Sequence, residues 1–252
     1  MVVAEASAMY PDPTTWNLQS FRNAVHALPA GTLSREDLLV EEFLLGRDNQ
    51  VSVFYAPFDA TTPDARVVLV GLTPGWTQMR LAFEACRDAL VAGQSDAEAS
   101  RGAKATASFA GMRDRISKWL DELGVQSWLG LTSTSSLFED PNRQMHTTSA
   151  VRYPTFVGDD YVNYRGVSPR PDRSVLLSTV VAAKLVPELG ELPDALIVPM
   201  GTAVARILEV LEVAESSRCL YGFPHPSGAN GWANRQFAEH QDGMREKVRS
   251  LH

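Results

Sequence analysis

Two hydrophobic rhythms run through this chain. Short, continuous apolar runs rich in β-branched residues, RVVLVGL at 66–72 and ALIVPM at 195–200, predict strands buried on both faces. MHTTSAVRY at 145–153, RCLYGF at 218–223 and QVSVFYAPF at 50–58 also read as strands. Helical spacing covers 14–29 and 35–46, the latter with Leu38, Leu39, Phe43 and Leu44 on one side and a near capping box from Ser34 and Asp37. It returns over 77–92, over 108–123 (Met112, Ile116, Trp119 and Leu120 on one face), over 174–186 as far as Pro187, after Gly201, and near 231–250. Residues 95–105 read as a loose surface loop. From residue 66 on, strand and helix alternate, which predicts a parallel sheet with helices on both faces. Ligands of such sheets bind where the loops after the strands' carboxyl ends converge. Those loops are 73–78, 152–156, 201–202 and 224–230.

Composition narrows the class. With 252 residues, 44% of them hydrophobic, the chain is long enough for a core that needs no staples. Two cysteines, Cys86 and Cys219, cannot build a disulfide framework, a cysteine-rich metal site or a four-cysteine iron–sulfur cluster, so a reducing cytoplasm is expected. No apolar run reaches the roughly 18 residues that a membrane span requires, and MVVAEASAMYPDP lacks the features of a signal peptide. The net charge of −7 argues against a global basic field for nucleic acid, yet the charge is uneven. Residues 1–65 carry nine acidic side chains against Arg22, Arg35 and Arg47. Arg101, Lys104, Arg113, Arg115 and Lys118 face only Asp114 within 101–120, and Arg143, Arg152, Arg165, Arg170, Arg173 and Lys184 outnumber the acids of 141–184. A polyanion would meet the middle of the chain.

Two loops carry candidate chemistry. Gly71-Leu72-Thr73-Pro74-Gly75 links a strand to a helix whose free N–H groups could face an anion; alone it is an ordinary connector. In Pro224-His225-Pro226-Ser227-Gly228-Ala229-Asn230-Gly231, two prolines fix the backbone around a histidine, and small residues allow another backbone to approach. The other histidines, His26, His146, His240 and His252, show no metal-ligand spacing.

In order and in strand context the two loops resemble those of the uracil-DNA glycosylase superfamily. Its first motif, Gly-x-[Asp/Asn/Glu/Ala]-Pro-[Gly/Tyr/Ala], is matched by GLTPG at 71–75, and its second, His-Pro-Ser or Asn-Pro-Ser-Gly, by HPSGANG at 225–231. TTSAVRY at 147–153 is similar to the family's Thr-Asn-x-x-Lys strand, and IVPMGTAVARIL at 197–208 to its strand–Gly–helix element. The resemblance covers residues 66–250 and implies an α/β fold, a three-layer α/β/α sandwich with a central, mostly parallel four-stranded sheet. Residues 1–65 would then be an acidic, helical extension packed on a domain spanning 66–252.

The implied reaction is monofunctional hydrolysis of the N-glycosidic bond of a base flipped out of DNA, leaving an abasic site. The resemblance gives His225 the role of donor to the base carbonyl oxygen, with Thr73 the second catalytic position. Base or DNA contacts fall on Gly71, Leu72, Pro74, Gly75, Trp76, Gln78, Ser149, Arg152, Tyr153, Pro226, Ser227, Gly228 and Asn230. Ala229 and Asn230 stand where the family carries an apolar wedge. DNA is the expected partner and a monomer the expected state, with no metal, cofactor or membrane.

Two departures matter. Thr73 replaces an acidic or amide residue and cannot act as a base near neutral pH. Ser149 replaces the asparagine that reads the amide edge of a pyrimidine. Both suit a base other than uracil, damaged or modified, one candidate being a hypermodified phage pyrimidine. Asp59 or Asp64 could lend the missing carboxylate. Other readings are a catalytically inactive nucleic-acid-binding relative, and a hydrolase of small N-glycosides or acyl groups that pairs His225 with Ser227.

Overall fold

The structure, a computed structural model, describes residues 12–139 and 144–251. Residues 1–11 of the segment read above for a leader, Arg143 and His252 lie outside the described residues. In chain order, the first elements are α1 (Leu18–His26), α2 (Arg35–Leu38), β1 (Leu44–Asp48), β2 (Val51–Phe54) and β3 (Val67–Gly71). Next come α3 (Trp76–Val91), α4 (Asp96–Ala107), α5 (Arg113–Leu123), α6 (Val125–Leu129), β4 (Met145–Ser149), β5 (Thr155–Val157) and β6 (Val162–Asn163). α7 (Val175–Val180) runs through a π-helical turn (Val181–Leu185) into α8 (Val186–Gly190), followed by β7 (Leu196–Pro199), α9 (Thr202–Val210) and α10 (Ala233–Arg249).

The chain divides into two compact units that interleave along the sequence. The first gathers the described residues of Met1–Thr61 with Leu72–Ser108 and Ser149–Glu188; the second gathers Thr62–Gly71, Phe109–Thr148 and those of Leu189–His252. The division therefore does not fall at the expected boundary after residue 65. The reason is strand pairing: β2 pairs antiparallel with β5, Val53 opposite Thr155, and so ties the amino-terminal region to a segment a hundred residues further on.

The first unit holds an antiparallel sheet in the order β1-β2-β5-β6 that the sequence pattern did not announce. Residues 44–46, expected as the end of a helix, open β1 instead. The helix stops at Leu38, and a two-residue loop at Asn49-Gln50, with Asn49 at φ +53°, folds Asp48 back onto Val51. The capping box at Ser34 and Asp37 is formed. The supposed loop at 95–105 lies mostly in α4. Ser95 and Glu98 cap it reciprocally, and Ala99, Ala103 and Ala107 are small enough to bury a full face. Pro187 does not end its helix. A π turn precedes it, and such a turn absorbs the carbonyl that the proline ring and its missing N–H would otherwise leave stranded.

The second unit holds a parallel sheet in the order β4-β3-β7, with Val67 beside Leu196 and Val70 beside Pro199. It has three strands where four were expected. The segment 218–223 contributes a single parallel bridge, Cys219 to Ile197, and Gly222 then turns at φ +97°, which ends the extended run. A Cβ on Gly222 would come within 2.7 Å of the His240 side chain on α10, so this position admits only glycine. The core of this unit joins Val67, Leu69, Val198 and Phe223 to Trp119 of α5 and Phe237 of α10. Among the described residues, no helix is long and apolar enough to cross a membrane.

Candidate functional site

In the first unit, the loop after β3 is held by its own neighbours. Leu72 accepts a bond from the Val151 N–H at 2.9 Å, and Thr73 Oγ1 donates to the Tyr153 carbonyl at 2.8 Å. The threonine's proton is thereby committed, and its lone pairs are what it offers. Pro74 is buried, and Gly75 caps α3. The Gly75 N–H donates to Gln78 Oε1 and the Trp76 N–H to Asn163 Oδ1, both at 3.0 Å. The expectation of free N–H groups here is thus corrected: two side chains already occupy them. Gln78 is a cap, and Asn163 on β6 carried no signal in the sequence. Trp76 is half-buried, with the Arg35 guanidinium 5.1 Å from its ring centroid and itself bonded to the Tyr161 carbonyl at 3.1 Å.

Ser149 ends β4, half-buried. Arg152 and Tyr153 do not face outward as DNA contacts would; both are buried. Arg152 binds Glu188 at 2.9 Å and the Lys184 carbonyl in the π turn at 3.2 Å. The Tyr153 hydroxyl meets the Trp16 carbonyl and Asp59 Oδ1, and Tyr55 donates to Asp59 Oδ2 at 2.9 Å. Asp59 is therefore spent on two tyrosines rather than offered as the missing base. Burial pushes its carboxyl up, against the tyrosine bonds and the Arg152 charge. Burial also pushes Lys104 down to about 8, opposed by Glu188 at 3.8 Å, and lowers Lys184. The result is a largely buried polar cluster of two carboxylates, three cations and two phenols, drawn from four separate stretches of the chain.

In the second unit, the loop after Cys219 sets His225 in a rigid frame. Pro224 and Pro226 are buried on either side, while Gly228 and Ala229 are exposed. The Asn230 side chain donates to the His225 carbonyl at 3.2 Å and to Gln236 Oε1 at 2.9 Å. Gly201, at φ +93°, donates its N–H to the Phe223 carbonyl at 2.8 Å. A Cβ on Gly201 would come within 3.1 Å of His225 Cβ. Gly201→Ala is therefore expected to cost about 1–3 kcal/mol of stability, since that backbone region belongs almost only to glycine. A thermal melt against the native protein checks it, and an unchanged midpoint refutes it.

The ring has a defined proton. The Ser227 N–H lies 3.2 Å from His225 Nδ1, and an amide N–H can only donate, so Nδ1 carries the lone pair and the neutral ring carries its hydrogen on Nε2. Burial pushes the imidazole below its ordinary value, which keeps it neutral near pH 7. Ser227 Oγ also lies 3.0 Å from Nδ1. Arg115 of α5 donates through Nη1 to the carbonyls of Pro226 and Ser227, each at 3.2 Å. Its basic stretch was visible in the sequence; its task was not.

The candidate residues thus gather in two sets. Leu72 through Gln78 with Ser149, Arg152 and Tyr153 belong to the first unit; Gly71, His225, Pro226, Ser227, Gly228 and Asn230 belong to the second. Among the described residues, no group of three or more His, Cys, Asp or Glu side chains could hold a metal ion.

Fold and site together define a mixed α/β protein with one parallel and one antiparallel sheet and a proline-framed, neutral histidine. No family model and no solved structure matches the chain. Over 240 residues it is 34% identical to the "Uncharacterized protein YoxB" of Bacillus subtilis (strain 168), covering 93% of this chain and 93% of that protein. The chain belongs to the YoxB family.

Proposed function

We propose that the protein is a monofunctional DNA glycosylase that hydrolyses the N-glycosidic bond of a damaged or modified base flipped out of DNA. The observation that carries this reading is the bond from the Ser227 N–H to His225 Nδ1, which assigns the hydrogen of the neutral ring to Nε2. As the bond from C1′ to the base nitrogen breaks, its electron pair goes to the base, and negative charge develops on a base carbonyl oxygen. A neutral Nε2–H donates to that oxygen without itself being deprotonated. Water adds to C1′ and its proton passes through solvent to the departed base anion, leaving an abasic sugar and a neutral free base.

Thr73 offers lone pairs but no basicity, so it can accept a hydrogen bond but cannot remove a proton. Such an enzyme suits a base that leaves readily, and Ser149 in place of a paired amide contact favours a base other than uracil, such as a hypermodified phage pyrimidine. The reading carries with it the three-layer α/β/α family architecture, DNA as partner, a monomer, and no cofactor. Two free, buried cysteines accord with the reducing cytoplasm.

Single- and double-stranded oligonucleotides bearing uracil, damaged bases and hypermodified pyrimidines test it, with abasic sites revealed by alkaline cleavage. Release of a modified base faster than uracil is expected. Equal or faster release of uracil refutes the substrate class, and DNA binding without any abasic product refutes the reaction. The Ser227 Oγ contact with Nδ1 favours a second reading, acyl hydrolysis with Ser227 as nucleophile. Ester cleavage that is lost in Ser227→Ala would establish it instead.

A further inference from the structure

We infer that Arg115 is the positioning residue of the His225 loop: by holding the Pro226 and Ser227 carbonyls it turns the Ser227 N–H onto Nδ1 and so fixes the ring hydrogen on Nε2. The argument starts from the planarity of the peptide. In a trans peptide the C=O of one residue and the N–H of the next point in opposite directions. The Pro226 carbonyl and the Ser227 N–H share one such plane. With the carbonyl drawn to Arg115 at 3.2 Å, the N–H is directed the other way, where it meets His225 Nδ1 at 3.2 Å. The second bond, to the Ser227 carbonyl, fixes the following plane as well, so that the peptides on both sides of Ser227 are held. Bonds from a charged donor are about twice as strong as neutral ones, so this clamp outweighs the single amide-to-imidazole bond it orients.

The guanidinium is itself well supported. Arg115 sits in the first turn of α5, and Ile116, Trp119 and Leu120 of that helix are buried. Its guanidinium lies 5.9 Å from the ring centroid of Trp119, one helical turn on. Trp119 in turn stacks on Phe237 at 5.1 Å and meets Phe223 edge-on at 5.6 Å. Phe223 is two residues before His225, so the helix that carries the clamp also packs against the base of the loop it clamps. Gly201 closes the remaining side, because its missing Cβ lets the backbone press against His225.

The consequence for base excision rests on the glycosylase reading; the tautomer does not, and the experiment reads the two separately. Nitrogen-15 NMR of the histidine rings at pH 8, with His225→Gln to assign the signal, gives the tautomer, and amide hydrogen exchange of Ser227 gives the strength of its bond to Nδ1. In the native protein a single Nε2–H form and a protected Ser227 amide are expected. In Arg115→Met the ring should become a mixture of tautomers, and the Ser227 amide should exchange about ten-fold faster or more. Arg115→Lys keeps a charged donor and should restore both. Should Arg115→Met fail to fold, Arg115→Gln, too short to reach both carbonyls, carries the same expectation. A native tautomer and native Ser227 exchange in the folded Met or Gln variant overturn the proposal, because a purely structural arginine would lower only the melting temperature. If the native protein excises a base, Arg115→Met should lower kcat with KM nearly unchanged; if it excises none, the glycosylase reading fails while the NMR result still decides the role of Arg115.

Discussion

Glu188→Gln is expected to destabilise the protein by about 3–5 kcal/mol, the usual cost of removing one partner from a buried ion pair. Glu188 lies buried between Arg152 at 2.9 Å and Lys104 at 3.8 Å, with its side chain only 2% exposed. The cluster holds the cations of Lys104, Arg152 and Lys184 against the anions of Asp59 and Glu188, so it already carries a surplus positive charge. Neutralising Glu188 leaves two buried cations, Lys104 and Arg152, and the half-buried Lys184 facing one aspartate whose own carboxyl is pushed toward the neutral form by burial. Lys104→Met works in the opposite direction: it removes the surplus cation, and its cost should be distinctly smaller. Urea unfolding followed by circular dichroism compares the two, and equal losses would refute this reading of the cluster.

His225→Gln is expected to lower the rate of base excision about 10²–10³-fold, the typical effect of losing one preorganised donor to a developing anion. The effect should fall on kcat, because the bond strengthens as negative charge builds on the leaving base and adds little to ground-state binding. Glutamine keeps a donor, but not one aimed and held by the Ser227 N–H and by the two prolines on either side. Single-turnover kinetics on whichever oligonucleotide the panel identifies measures it. A loss confined to KM would mean that His225 binds the base rather than assisting its departure.

The parts of the molecule that were legible in the sequence are those in which local chemistry decides the outcome. The runs at 66–72 and 195–200 are strands because nothing but a doubly covered sheet would bury so many β-branched side chains in a row, and β3 and β7 are found there. The rigidity of the His225 loop followed from its prolines. What escaped reading depends on partners far away in the chain. Arg152 and Tyr153 looked like a basic and aromatic pair at the end of a strand; Glu188 and Asp59, the groups that draw them inward, lie 36 and 94 residues away. α4 reads as a loop in the sequence because alanines and polar residues resemble a linker until another helix is there to cover the alanines. β5 and β6 are too short to show a period, and only their pairing with β2 makes them strands.

The order in which the two units share the chain has a consequence for its birth on the ribosome. The thread passes from one unit to the other five times, and neither is complete until late: the first ends at Glu188, and the second needs the carboxyl-terminal segment. A nascent chain therefore holds no finished half that could fold ahead of the rest, and a shortened gene ending anywhere before residue 188 would encode two incomplete cores rather than one whole one.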